Sequence, residues 1–330
     1  MTLVIGTDEA GYGPNLGPLV VAASVWRLEA APAAVEAALA AALTRAAEAA
    51  EPTTPHAASR ATPLWSDSKQ VYRGGRKSAG QGITALEVGV LTAIAMVNGD
   101  VPRAWDTFAA ATGIGVAATP PSEWSALLSA PLPRTVDAGA CVVRGERITR
   151  ALADAGASLE QIACRVVHPK EFNGLLAAGL NKSDILSQVT LALAAAACRR
   201  AGADEPKVIW CDRHGGRKHY APVIARHFDC PLVRPIEETP ARSAYDLPAS
   251  RCRIEFCVGG EDRGPVALAS MTAKYVRELA MEAFNTFWGD RSPGLAPTAG
   301  YPLDAARWRR DAAAAIRAAG IADDELWRRA

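Results

Sequence analysis

Three separate segments of this 330-residue chain share one form, an apolar run ending in a carboxylate. VIGTDE delivers Asp8 and Glu9, VIWCD delivers Asp212, and CVGGED delivers Glu261 and Asp262. Alone, each acid is more often a solvated strand-end residue. Together, acids at strand ends can converge on one edge of a sheet, where three or four carboxylates about 4 to 6 Å apart do not all ionise without cations. The complement of such a cluster is a pair of Mg2+ or Mn2+ ions, hard cations that take oxygen ligands. Two such ions about 4 Å apart bind the attacking and the leaving oxygen of an in-line phosphodiester displacement, so the chemistry to expect is that of a metal-dependent nuclease.

The elements that must position these acids are legible in outline. Thr2 to Thr7 and Pro18 to Leu28 are rich in Val, Ile and Leu, and the intervening DEAGYGPNLG is dense in turn formers, so they read as a strand pair with Asp8 and Glu9 at the end of the first. Residues 29 to 51 are helix formers stopped by Pro52. After PLWSDSKQ comes a basic loop, YRGGRK, and then a block of helical patterns including ITALEVGVLTAIAMVNG. Order returns with a strand at Cys164 to His168, a buried helix from Asp184 to Ala201 and the strand PKVIWCD at 206 to 212. A helix from Ala221 to His227, the strands CPLVRPIEE and RCRIEFCV, and a helix from Val266 to Phe287 follow. The tail carries APTAGYPLDAARW and one or two helices. Strands interleaved with helices predict an α/β fold, a mixed sheet covered by helices.

Composition narrows the classes. Hydrophobic residues make up 49% and charged residues 22%, which is enough for a large core as one big domain or two modest ones. Lys+Arg at 36 against Asp+Glu at 35 leaves a formal charge of +1, so any basic surface for a polyanion is local. The seven cysteines are scattered without C-x-x-C spacing, which speaks against a zinc site and for a reducing compartment. No run approaches the roughly 18 apolar residues of a membrane helix, and the N-terminus lacks a signal-peptide pattern, so the expectation is a cytoplasmic protein with no membrane partner.

The detail around the acids resembles the type 2 ribonuclease H family, ribonucleases HII and HIII. Its opening motif, G-x-D-E-x-G-x-G followed by G-P-x-V-V-A, is matched by GTDEAGYGPNLGPLVVAA. D-S-K stands at Asp67, Ser68 and Lys69, and the strand ending in an aspartate is VIWCD. The block G-D followed by A-S-x-x-A-K-x-x-R is matched by GGEDRGPVALASMTAKYVRE, and G-Y-P stands at Gly300, Tyr301 and Pro302. Five blocks in order span residue 3 to about 308, and only the interval from Asp67 to Asp212 is longer than the family needs.

The resemblance implies a ribonuclease H-like fold, a five-stranded mixed sheet flanked by helices. On that basis residues 1–75 and 164–290 form the catalytic core, 76–163 a mainly helical insertion, and 291–330 a C-terminal helical segment carrying G-Y-P. It implies cleavage of RNA in RNA/DNA hybrids, or of ribonucleotides embedded in duplex DNA, leaving a 3′-hydroxyl and a 5′-phosphate, by a chain expected to act as a monomer. Asp8, Glu9 and Asp212 fall on the family's metal carboxylates. The fourth is Asp262 with Glu261 in reserve, because one or two residues are missing between GGED and ASMTAK. Tyr301 falls on the tyrosine that stacks on the sugar beside the scissile bond, against a reading as a packed turn aromatic. Lys69 and Lys274 fall on lysines near the active edge, suited to phosphate contact or to a structural ion pair.

One position departs from the pattern. The family's G-R-G or G-K-G, whose backbone reads the 2′-hydroxyl, is here Gly11, Tyr12 and Gly13. The glycines still let backbone approach a sugar closely, but a cation near the phosphates is gone. The loop RHGGRKHY at 213 to 220, which follows Asp212, either replaces that cation or is a solvated basic turn. Ribonuclease HIII also lacks the arginine and prefers runs of ribonucleotides, so a single-ribonucleotide preference does not follow. Two other readings use the same residues: a catalytically degenerate nucleic-acid-binding protein on this fold, and a nuclease of the wider superfamily with another substrate.

Overall fold

The structure is a computed structural model that describes residues 1–50, 64–66, 79–115, 121–202 and 204–329, with the side chains of 79–82 left aside. Lys69, the rest of D-S-K and the YRGGRK loop lie outside the described residues.

The chain opens with two antiparallel strands, β1 (Thr2–Ala10) and β2 (Leu19–Leu28), in a register that pairs Thr2 with Leu28 and Ala10 with Val20. Helix α1 (Val35–Ala50) follows, then α2 (Ala79–Asn98), α3 (Trp105–Thr112), the short α4 (Ser125–Ser129) and α5 (Ala138–Ala153). Strand β3 (Ala157–Val167) pairs antiparallel with β2, and α6 (Pro169–Ala177) and α7 (Lys182–Cys198) lead to β4 (Lys207–Asp212), which lies parallel to β1. After α8 (Ala221–Phe228) come β5 (Arg234–Glu238), β6 (Arg242–Leu247) and β7 (Cys252–Cys257), the last parallel to β4. A 28-residue helix, α9 (Gly264–Arg291), crosses the sheet before α10 (Pro302–Asp311), α11 (Ala313–Ala319) and α12 (Asp323–Leu326).

The strand order is β3-β2-β1-β4-β7-β6-β5, so the sheet has seven strands and not the five expected. The difference is the hairpin β5–β6, appended at the β7 edge. β6 escaped the sequence reading because RSAYDL interleaves charged and small residues among its apolar ones, and β5 is shorter than CPLVRPIEE, starting only at Arg234. β3 begins at Ala157, ahead of Cys164, because ASLEQIACRVV alternates buried and exposed positions as a strand with one covered face does.

The sheet is covered on both faces. On one side Leu3, Ile5, Ile209 and Ile254 pack with Leu191, Ala194 and Ile224 from α7 and α8. On the other, Val4, Val20, Trp26 and Val208 share one core with α9 and with α1, α2, α3 and α5. The helices of the 79–153 stretch are therefore built into the sheet's core. Their anchor is Glu87, fully buried on α2, which accepts from Arg134 N at 2.6 Å, Thr135 N at 2.7 Å and the Tyr275 hydroxyl of α9 at 2.8 Å. A buried carboxylate is tolerable when hydrogen bonds replace water around it, as here.

One glycine sets the layer spacing at the site. A Cβ on Gly6 would fall 2.2 Å from the carbonyl carbon of Pro265, so the first turn of α9 lies directly on β1. Ser24 donates to Pro265 O at 2.7 Å and fixes the same turn from β2.

Candidate metal centre and nucleic-acid interface

Parallel pairing of β1 and β4 puts Thr7 opposite Cys211, and the next residue of each strand is an aspartate. Asp8 and Asp212 are thus brought to one end of two adjacent strands, on the face that α9 covers. Glu9 follows Asp8 within β1, paired with Val21 of β2, and one carboxylate oxygen from each of Asp8, Glu9 and Asp212 lies within 4.8 Å of the others. This is the group of His, Cys, Asp and Glu with metal-ligating spacing among the described residues.

Each carboxylate is held. Glu9 N donates to Asp8 Oδ1 at 2.7 Å, Ser270 of α9 hydrogen-bonds the Asp8 side chain, and Gly260 N donates to Asp212 Oδ1 at 3.1 Å. Burial pushes the Asp8 carboxyl up to about 8, the Asp212 charge adds to this, and Glu261 contributes a smaller push. Burial and like charge both disfavour the ionised form, a bound cation would favour it, and oxygen-only donors fit a hard divalent ion.

The fourth acid divides as follows. Glu261 is near enough to Asp8 for its charge to raise that carboxyl. Asp262 lines a cleft of about 310 Å3 between α1 and the start of α9, with Glu36, Trp210 and Arg263, and neither it nor Glu261 belongs to the three-carboxylate group.

The turn after β1 is shaped from three distant parts of the chain. Gly11 has φ of +88°, and a Cβ there would meet Pro18 O at 2.6 Å, so no other residue fits without strain. Arg277 of α9, fully enclosed, donates to Pro18 O at 2.7 Å, Leu16 O at 3.2 Å and Ala299 O at 3.1 Å. Arg328, equally buried, donates to Gly11 O at 2.6 Å and to Pro14 O. Burial lowers Arg277 to about 10 and Arg328 to about 9. Gly300 O accepts from Asn15 N at 2.8 Å, which ties the G-Y-P turn to this loop.

Tyr301 consequently lies over Gly13: a Cβ on Gly13 would be 3.8 Å from Tyr301 Cε1, and the ring is 54% exposed. Lys274 shares a cleft of about 700 Å3 with Tyr301, Arg277 and Thr298, and is paired with Glu278 at 2.6 Å. Tyr12 turns away from this cleft. Its hydroxyl would sit 2.9 Å from a Cβ on Gly215, and Lys182 Nζ is 6.0 Å from its ring centroid.

The loop at 213 to 220 spends most of its cations internally. Arg213 donates to the carbonyls of Arg217, Thr239 and Pro240, Arg217 pairs with Asp184, and His219 lies 2.7 Å from Glu238. His214 is buried against Ser187 at 2.9 Å, and burial holds it down at about 3. Only Lys218 is left exposed without an ion pair among the described residues.

Sequence reasoning missed Ser270 and Arg277, although both stand in the ASMTAKYVRE block, where only Lys274 drew attention. It also missed Lys182 and Arg328. Arg328 acts on a residue 317 positions away, and nothing local signals that.

No protein-family model matches the chain, and no curated protein does. Solved structures do. The RNase HII of Archaeoglobus fulgidus, solved in a PCNA:RNase HII complex, is 15% identical, with 98% of this chain and 93% of that one covered at a TM-score of 0.40. The ribonuclease H2 of Pyrococcus horikoshii OT3 is 14% identical over 98% and 92% at 0.42. Bst-RNase HIII in complex with Mn2+ is 16% identical over 99% of this chain and 66% of that one at 0.40. The chain is similar to solved ribonucleases HII and HIII. No helix among the described residues is long and apolar enough to cross a membrane.

Proposed function

We propose that this protein is a divalent-metal-dependent endoribonuclease that cleaves RNA in RNA/DNA hybrids or ribonucleotides embedded in duplex DNA. The observation that carries the reading is the convergence of Asp8, Glu9 and Asp212 within 4.8 Å at the ends of two parallel strands. Next to them is a glycine turn under an exposed tyrosine. The carboxylates suit phosphodiester hydrolysis, and the turn gives that hydrolysis a ribose to read.

Asp8, Glu9 and Asp212 would hold Mg2+ or Mn2+, with Glu261 rather than Asp262 as the fourth acid. Two such ions, when bound, supply Lewis-acid activation of water and neutralise charge on the departing 3′-oxygen. The chain's own groups do the rest. Ser270 and the Glu9 and Gly260 amides orient the carboxylates, so little reorganisation is left for the reaction. Backbone groups of Gly11 and Gly13 can donate to and accept from a 2′-hydroxyl, and Tyr301 offers a ring face to the sugar or base beside it. Lys274, on the same cleft, sits where a phosphate would compete with Glu278 for it.

The test is cleavage, with Mg2+ and then Mn2+, of three matched duplexes: all-DNA, DNA with one ribonucleotide, and DNA paired with a four-ribonucleotide tract. Ribose-dependent cutting lost in Asp8→Asn and in Glu261→Gln, and kept in Asp262→Asn, supports both function and site. Cutting of all-DNA duplex at the same rate points to another nuclease. Binding without cutting of any duplex overturns the enzyme reading in favour of a degenerate binding protein.

A further inference from the structure

The Gly11–Gly13 turn lacks a charged side chain of its own, and the basic loop at 213 to 220 turns its arginines inward. The cation that does reach the turn is Lys182, the first residue of α7. It projects over the Tyr12 ring at 6.0 Å, with Asn181 capping the helix behind it by accepting from Asp184 N at 3.0 Å. Among the described residues Lys182 has no carboxylate partner, whereas Arg277 and Arg328 are committed to carbonyls, Arg217 to Asp184, and Lys274 to Glu278. A lysine whose ammonium stands over an aromatic ring and has no carboxylate partner among the described residues is arranged to receive an anion. The two buried guanidiniums beneath the same turn add positive potential to that side of it.

We infer that Lys182, beside the Tyr12 ring, is a substrate-binding cation that contacts a substrate phosphate next to the ribose read by Gly11–Gly13. The tyrosine at the centre of the turn then has a role: it cannot contact a phosphate by charge, so it positions a lysine from α7 that can. This inference rests on the proposed ribonuclease reading.

The experiment measures binding of the ribonucleotide-containing duplex across a salt series, with Ca2+ in place of the reactive metal, alongside steady-state cleavage in Mg2+. Lys182→Ala is expected to weaken binding about fivefold and to reduce the slope of log Kd against log salt by about 0.9, the loss of one phosphate contact. It should raise KM and leave kcat within about twofold, and Lys182→Arg should restore the slope. An unchanged melting temperature controls for folding. If wild type binds and cleaves while Lys182→Ala keeps the wild-type slope, the inference is overturned, whether or not affinity falls. A wild type that neither binds nor cleaves any ribonucleotide-containing duplex instead overturns the ribonuclease reading.

Discussion

Asp8→Asn tests the electrostatics of the centre without reference to turnover. In the metal-free fold the Asp8 carboxyl is held at about 8, against 3.8 when the chain is open, by burial first and by Asp212 second. A raised acid works against the fold as pH climbs: the cost is absent below 3.8, grows up to about 8, and is constant above that. Each pH unit in this window adds about 1.4 kcal/mol, which gives about 4 kcal/mol at pH 7. Asparagine keeps an oxygen for the Glu9 amide at 2.7 Å and removes the ionisable group, with the cost of protonating it. Weakening the Ser270 bond returns about 1 kcal/mol. The expected result in chelator at pH 7 is a variant more stable by about 3 kcal/mol, read as a higher urea midpoint at unchanged m-value. The gain should vanish near pH 4. Adding Mg2+ should then stabilise wild type in proportion to the logarithm of its concentration and leave Asp8→Asn where it was. A variant no more stable than wild type at pH 8 in chelator would refute the argument that the cluster is held short of a cation.

Three further outcomes follow from the same geometry. Gly11→Ala forces a side chain into a positive-φ turn against Pro18 O and should destabilise the fold by about 2 kcal/mol or more, whereas Gly13→Ala should melt with wild type and lose ribose-dependent cleavage. Thermal melting and duplex cleavage measured on both variants separate the two effects. Tyr301→Ala should likewise melt with wild type, because the ring is 54% exposed, and lower kcat/KM by about 10-fold or more, with Tyr301→Phe close to wild type. His168, packed on Trp124 at 4.9 Å, is held down at about 4 by burial and Arg165. A lowered histidine stabilises the fold above its unfolded value of 6.5 and loses that contribution as pH falls towards 4, so His168→Gln should flatten the acid limb of the stability profile by up to about 3 kcal/mol.

Much of this arrangement was legible because it is local. VIGTD and VIWCD are apolar runs with an acid at the end, and the structure pairs them in parallel so that the acids meet. The mixed sheet flanked by helices was likewise readable from strand and helix periodicity. What stayed hidden depends on distance or on a weak pattern. β6 carries charge at Arg242 and Asp246 within a six-residue strand, so its apolar residues are only Ala244, Tyr245 and Leu247. Motif spacing put Asp262 first and Glu261 in reserve; the two are adjacent in the 3-10 turn at Gly260–Asp262, and it is the Glu261 charge that acts on Asp8. Arg213 and Arg217 read as a basic loop, and no periodicity tells that their charges are consumed by Thr239, Pro240 and Asp184.

The appended hairpin accounts for that consumption. Tyr245 of β6 accepts from Tyr220 N at 2.8 Å, Ser243 donates to Lys218 O at 2.8 Å, and the turn at Thr239 and Pro240 takes the Arg213 guanidinium. The 213–220 loop is therefore fixed from the β7 edge as well as from α7, where Ser183 donates to His214 O at 3.1 Å. A loop pinned on both sides gives Gly215 a fixed place against Tyr12 and so sets where Lys182 can stand. The hairpin at the β7 edge thus reaches the Gly11–Gly13 turn through packing. It and α7 hold the loop's arginines inward, which leaves Lys182 of α7 as the cation beside Tyr12 on which the inference above rests.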